Sequence, residues 1–328
     1  NDSRTHLDID SLRRVMAHSF QFTIEQMDQG RRLDELLAAR LGILSRMRIK
    51  NLIGAGLCQV NGDVGRAGYR LVAGDSIVVS FDEGAPTAMT PEPIPLEIAY
   101  EDQQVIVVIK PAGMLVHPTL SVKSGTLANA LAYHLNKSRI EDGSWDAASS
   151  VVDVEPVVRP GMIHRLDRAT SGLMVMAKTP RALTVLSRHF RKRLVEKRYL
   201  ALAAGVVEEE SGSITAPIGR DPDRRPQWGV MDAGRQAETK FKVLERMAQA
   251  TLLELEPVTG RTNQLRIHCA HIGHPIVGDE MYGNSLRAPD KEVRMRLCLH
   301  ASSLAFHHPV SGEWMEFTWR LPDDFGEE

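Results

Sequence analysis

Three strand-length runs stand close together in the second half of the chain: YLALAAG (199–205), TKFKVLERM (239–247) and ATLLELEPVT (250–259). Strands that follow one another with few helices between them argue for a mixed, largely antiparallel sheet and against a doubly wound parallel one. The expected class is therefore α+β. QVIVVIK (104–110) and GLMVMAK (172–178) add two more apolar strands. Helices are expected at TLANALAYHL (126–135), across RTNQLRIHCAHIG (261–273), and from Thr179-Pro180 onward. In the last of these Leu183, Leu186, Phe190 and Leu194 form an inward stripe, with Arg188, Arg191, Lys192 and Arg193 mostly outward.

The chain has 328 residues, 43% of them hydrophobic, enough to bury more than one core. Near the N-terminus RRLDELLAARL sets Leu33, Leu36, Leu37 and Leu41 on one helical face. SRMRIKNLIGAG follows with Ser45 as N-cap and Ile49, Leu52 and Ile53 as its stripe. Asn61-Gly62 is a strong hairpin signal and SIVVSF reads as a strand, while FQFTIEQM (20–27) is expected as a short strand leading in. The reading is an N-terminal extension (1–30), a small helix-pair-and-hairpin module (31–82), a proline-rich linker (83–96) and a larger domain (97–325). Within that last domain residues 136–155 are expected as an exposed polar loop.

Net charge is −2, so the global balance names no polyanionic partner. Local balance differs. Between Arg31 and Gly74 eight cationic residues face three acidic ones, and between His164 and Arg198 ten face two. Such islands are the footprint of nucleic-acid binding, although a charge run is also how a solvated helix face looks. Cys58, Cys269 and Cys298 are too few and too scattered for a disulfide framework or a CxxC metal knuckle. No run approaches the ~18 apolar residues of a membrane span, and the N-terminal NDSRTHLDID lacks a signal-peptide pattern. A cytoplasmic protein is expected.

GMIHRLDRATSGLMVMAKT (161–179) places Asp167 between Arg165 and Arg168 at the edge of an apolar run. Flanking guanidiniums favour an ionised carboxylate, which suits a nucleophile or electrostatic stabiliser and disqualifies a general acid. The plainer alternative is an ion pair pinning a loop. Thr170-Ser171-Gly172 signals a turn into a strand, which would present Asp167 at a strand edge facing a cleft.

HRLD followed by TSG resembles the catalytic signature of the RluA-type (RluC/RluD-like) pseudouridine synthases. KPAGMLVHP (110–118), GTLANAL (125–131), EKRYLALAAG (196–205) and GRTNQLRIHCAHIGHPIVGDEMYG (260–283) match that family in order and approximate spacing. The segment from Arg31 to Val79 resembles the RNA-binding module first described in ribosomal protein S4, whose basic helix pair grips folded RNA. The resemblance implies conversion of uridine to pseudouridine in RNA, most readily large-subunit ribosomal RNA, without cofactor or metal. It implies Asp167 as the catalytic aspartate, either adding to the anomeric carbon or removing a ribose proton. Arg165 would fill the space left by the flipped-out nucleotide, Tyr199 would stack on the uracil with a base role open to it, Arg266 would pair with Asp167, and Leu265 would pack against the base. Arg168, Arg31, Arg32, Arg46, Arg48 and Lys50 would contact RNA. The sequence departs from the pattern at Ile109, where Asn is usual, and at Asn263, where His is usual.

Two other classes remain in view. His268, His271 and His274 fall at i, i+3 and i+6, a spacing that could hold zinc in a metal-dependent RNA hydrolase, although Gly273 ends the helix before the third. A non-catalytic RNA chaperone would be marked by loss of Asp167, which is present. GxxxxGK[ST], GxGxxG and GxSxG are absent, and no obligatory protein partner is evident.

Overall fold

The computed structural model describes residues 17–41, 46–82, 90–119, 121–142, 160–222, 228–283 and 296–325. Its chain divides into two units, residues 1–95 with 117–160 and residues 96–116 with 161–328.

In the first unit β1 (Ala17–Thr23) leads to helices α1 (Leu33–Arg40) and α2 (Arg46–Gly54), then to β2 (Cys58–Val60), β3 (Asp63–Val64) and β4 (Ser76–Asp82). The strands form an antiparallel sheet in the order β1-β4-β2-β3. Asn61 and Gly62 both take positive φ (54° and 88°), the type I′ geometry that matches the strand twist. Leu33, Leu36, Leu37 and Leu41 from the first helical stripe meet Ile49, Leu52 and Ile53 from the second, and Phe20 and Phe22 of β1 close the same core. The expected N-cap Ser45 lies outside the described residues. Further along, α3 (Leu127–His134) starts at Thr126 with a capping box to Asn129, and α4 (Lys137–Glu141) follows. The polar stretch expected as loop from residue 136 thus begins helically. Residues 143–159 lie outside the described set.

The second unit comprises β5 (Glu97–Glu101), β6 (Val105–Lys110), β7 (Gly161–Met162), β8 (Ser171–Ala177), helix α5 (Pro180–Lys192), β9 (Val195–Ala204), β10 (Ser211–Thr215), β11 (Ile218–Arg220), β12 (Trp228–Val230), β13 (Glu238–Arg246), β14 (Ala250–Pro257), helix α6 (Gln264–His271), β15 (Leu299–His307) and β16 (Trp314–Thr318). Its main sheet runs β10-β13-β14-β9-β15-β8-β6-β5, with β16 on β15 and β7 on β8. Every pairing in it is antiparallel except the short parallel contact of β15 with β8. The fold is thus mixed and antiparallel-rich, as the succession of strands requires. Strands β6 and β8 are buried along their whole length, which explains why they read as continuous apolar runs rather than alternating ones.

Gly172 stands where β8 crosses β15. It takes φ +118°, and a Cβ there would collide with the backbone of Ala301, so only glycine fits. Helix α5 is capped by the Thr179 hydroxyl, which accepts from the Ala182 N–H, with Pro180 in its first turn. It ends earlier than the apolar stripe suggested. Arg193 turns left-handed (φ 58°), and Leu194 lies beyond the helix, 49% exposed, because the chain must reverse there into β9. The segment RTNQLRIHCAHIG is likewise only partly helical: Asn263, also left-handed (φ 54°), is the N-cap of α6.

Candidate active site

The loop between β7 and β8 carries Asp167, and its neighbours explain how it is held. His164 stacks on Phe190 with ring centroids 4.7 Å apart, and its Nε2 accepts from the Val175 N–H at 3.1 Å. Burial, assisted by the charge of Lys197, pushes His164 down to about 3, so the ring is neutral and free to accept. From the other side Lys110, fully buried at the end of β6, donates through Nζ to the carbonyls of Pro111 (2.7 Å), Met114 (2.9 Å) and Arg168 (3.1 Å). Burial lowers its pKa to about 7 while Asp167 opposes the shift. Three acceptors call for three N–H donors, which only the ammonium has. The Arg168 Nε donates to the Gly113 carbonyl (2.9 Å) and the Gly113 N–H to the Arg168 carbonyl (2.8 Å), closing a clasp between the KPAG turn and the Asp167 loop.

That clasp corrects the simplest reading of RLDR. Arg168 is drawn to a backbone carbonyl and does not flank the carboxylate, which instead faces Arg266, Nη1 lying 3.7 Å from Asp167 Oδ2. The shorter bonds of Arg266 go elsewhere: it makes a bidentate pair with Asp279 at 2.7 and 2.6 Å, and its guanidinium lies over the Tyr282 ring. Asp279 has no exposed side-chain surface and also accepts the N–H groups of Met281 and Tyr282. Arg266 is thereby fixed by a buried fork, with one nitrogen left toward Asp167.

Asn263 supplies the second contact. An ionised carboxylate can only accept, so the hydrogen-bond network orients the amide with Nδ2 toward Asp167, 3.0 Å from Oδ2 and 3.2 Å from Oδ1. Its Oδ1 then faces the Tyr282 hydroxyl at 3.1 Å, whose proton is shared with the Trp228 carbonyl at 2.9 Å. Lys110, Asn263, Asp279 and Tyr282 were not singled out as site residues from sequence. A lysine closing the all-apolar run VIVVIK, and Asn263 standing where the family usually has His, were the visible signals.

Asp167 opens into a cleft of about 550 Å³ that is also lined by Arg165, Tyr199, Leu265 and Arg266. Tyr199 has its pKa raised by burial and further by Asp167, so the phenol keeps its proton. Leu265 is buried with its edge in the cleft and Arg165 is exposed. The residues expected to contact RNA through the N-terminal module are arranged differently. Arg31 pairs with Asp28 (2.6 Å) and Arg32 with Asp34 (2.9 and 3.0 Å), which ties both into their own module. Lys50 is exposed and Arg48 partly buried, while the Arg46 side chain lies outside the described residues.

The histidine triplet does not converge. Both ring nitrogens of His268 are engaged, with the Thr239 hydroxyl at 2.9 Å and the Ala216 carbonyl at 3.1 Å, and His274 Nδ1 faces the Ala204 carbonyl at 2.9 Å. Among the described residues no three His, Cys, Asp or Glu side chains are grouped to hold a metal ion.

A family profile described as RNA pseudouridylate synthase matches residues 104–271. An RNA pseudouridine synthase of Aquifex aeolicus is 40% identical over 93% of this chain and 94% of its own. The chain belongs to the RNA pseudouridylate synthase family. The ribosomal large subunit pseudouridine synthase D of Pasteurella multocida is 38% identical over 93% of this chain and 92% of its own. Human RNA pseudouridylate synthase domain containing 1 shares the fold with a TM-score of 0.54 at 28% identity, covering 71% of this chain and 86% of that one. The protein is accordingly an RNA pseudouridine synthase, an isomerase acting on uridine, and neither the hydrolase nor the chaperone reading is supported. No described helix is long and apolar enough to cross a membrane.

Proposed function

We propose that this synthase modifies uridine in large-subunit ribosomal RNA in the cytoplasm, with Asp167 as its catalytic group and no obligatory protein partner. The observation that carries the proposal is the setting of Asp167: one carboxylate open to the cleft, with the Arg266 guanidinium 3.7 Å away, the Asn263 amide donating to it, and Tyr199 and Leu265 lining the same cleft. The ribosomal target rests on the large-subunit synthases at 38% identity.

Substrate and product are isomers, so the reaction needs no oxidant, reductant or co-substrate. The C1′–N1 bond breaks, uracil turns over, C1′–C5 forms, and the C5 proton leaves as N1 gains one. Asp167 serves either by bonding to C1′ as uracil departs or by removing a ribose proton; both routes require an ionised carboxylate. The bond is out of reach in stacked RNA, so the nucleotide must swing outward, with Arg165 occupying the vacated space. Tyr199 stacks on the uracil and Leu265 packs against it. Arg266, itself locked by Asp279, keeps the carboxylate aimed. Arg168 holds the loop and touches RNA only with its exposed part. The N-terminal module (31–82, its sheet completed by β1), joined by residues 83–96 to the catalytic domain (97–325), is an S4-type RNA grip in which the exposed Lys50 and its neighbours Arg46 and Arg48 meet phosphates, Arg31 and Arg32 shaping its basic face.

Pseudouridine maps of total RNA from cells with and without the gene test this reading. Wild type restores a large-subunit mark and Asp167→Asn does not. Restoration by both would remove Asp167 from its role, and a missing mark in another RNA would remove the ribosomal target.

A further inference from the structure

The cleft has a basic rim that the reaction does not use. Arg193 lines it from the turn between α5 and β9, and Arg261 lines it from the loop between β14 and α6. Arg193 is exposed and left-handed, a conformation that L side chains other than Asn and Asp rarely adopt, at a helix end where glycine is usual. Strain of this kind is tolerated where the side chain has a task. Arg261 is aimed rather than free, since its Nε and Nη2 both donate to the Gln236 carbonyl at 3.1 Å. Neither guanidinium has a carboxylate partner among the described residues, and neither does the nearby Arg235. Burial lowers the pKa of Arg261, and the charges of Arg235 and Arg193 lower it further. Two rim cations, with Arg235 close enough to repel Arg261 and with no ion-pair partner of their own among the described residues, suit an anion.

We infer that Arg193 and Arg261, backed by Arg235, form a phosphate subsite at the cleft mouth that grips the RNA backbone next to the flipped uridine. The ligand is a phosphodiester, and the inference rests on the reading of the cleft as the uridine site. Backbone contacts fix register without reading sequence, so the subsite sets how firmly the nucleotide is presented rather than which base is chosen. Arg193 and Arg261 come from two different loops that line one cleft, so a phosphate held by both would tie those loops together.

Arg193→Gly tests this directly, because it removes the cation and relieves the left-handed strain at once. Thermal unfolding is expected to occur at or above the wild-type temperature. Binding to a transcript of large-subunit ribosomal RNA is expected to weaken on the order of tenfold. The slope of log affinity against log salt is expected to fall in magnitude by about 0.7 to 0.9, one phosphate contact. Arg193→Glu should weaken binding further, and Lys242→Ala on the exposed face of β13 should change neither quantity. If both Arg193 variants fold and bind with wild-type affinity and wild-type salt slope, the subsite is wrong. Pseudouridine formation by the wild type on the same transcript is read separately: its absence overturns the choice of RNA, not the subsite, since the salt slope reports phosphate contacts whether or not turnover follows.

Discussion

Lys110 Nζ lies 3.1 Å from the carbonyl oxygen of Arg168, so the last residue of β6 is bonded into the loop that carries Asp167. This single buried ammonium donates to three carbonyls at once.

Replacing Lys110 with Met keeps the length and removes all three bonds. The Pro111 and Met114 carbonyls lose this donor while that of Arg168 keeps the Gly113 N–H, and each polar group left unsatisfied costs about 1–3 kcal/mol where water cannot enter. We expect a loss on the order of 3 kcal/mol in urea unfolding and a fall in single-turnover rate, because the Asp167 loop loses its clasp. An unchanged midpoint would mean that Lys110 is not holding the loop.

Asp279 and Arg266 form the other anchor. Removing one partner of a buried ion pair costs about 3–5 kcal/mol. Asp279→Ala should lose that much in denaturant unfolding, whereas Arg266→Lys should lose less stability but lower the single-turnover rate, since an ammonium cannot keep the fork to Asp279 while facing Asp167. Equal rates for Arg266→Lys and wild type would argue against Arg266 as the aiming group.

Asn263 offers a graded test. Asn263→Ala removes the donor to Asp167 and is expected to slow single turnover by about tenfold, in line with a hydrogen bond to a charged group. Asn263→Asp places a second carboxylate at 3 Å and should be more damaging than Ala. If Asp and Ala are equivalent, the amide nitrogen does not face Asp167.

Acid should destabilise the protein through two histidines. Burial holds His164 near 3 and His300 near 4, each with a neighbouring cation adding to the shift, against 6.5 when unfolded. Both are neutral in the fold, so below about 6.5 the unfolded chain binds more protons. Their contribution to stability is complete above that pH and is lost as pH falls toward 4, by about 1.4 kcal/mol per pH unit for each group. Denaturant midpoints between pH 4 and pH 8 measure the slope, and His164→Gln, which keeps an acceptor for Val175, should reduce it over pH 4–6.

Where local chemistry decides the structure, the sequence is enough to read it. Asn61-Gly62 can make little else than a tight hairpin turn, Leu33 to Leu41 can bury only one face, and VIVVIK and GLMVMAK announce central strands. The HRLD loop stands out through the TSG turn that follows it and its resemblance to the family signature, since the charged string alone would equally suit an ion pair pinning a loop. What was not legible depends on partners distant in sequence. Nothing in RLDR says that Arg168 will turn to Gly113, 55 residues away, or that Arg266 will give its best bonds to Asp279. Leu194 carried the helical period one step too far because Arg193 breaks the helix in a conformation no propensity would favour.

The hydroxyl of Ser171, at the foot of the Asp167 loop, is bonded to His300 across 129 residues of sequence, beside the parallel contact of β8 with β15. A chain growing from its N-terminus therefore emerges with its reactive loop long before the strand that braces it. Activity should switch on only after β15 has been synthesised and has paired between β8 and β9.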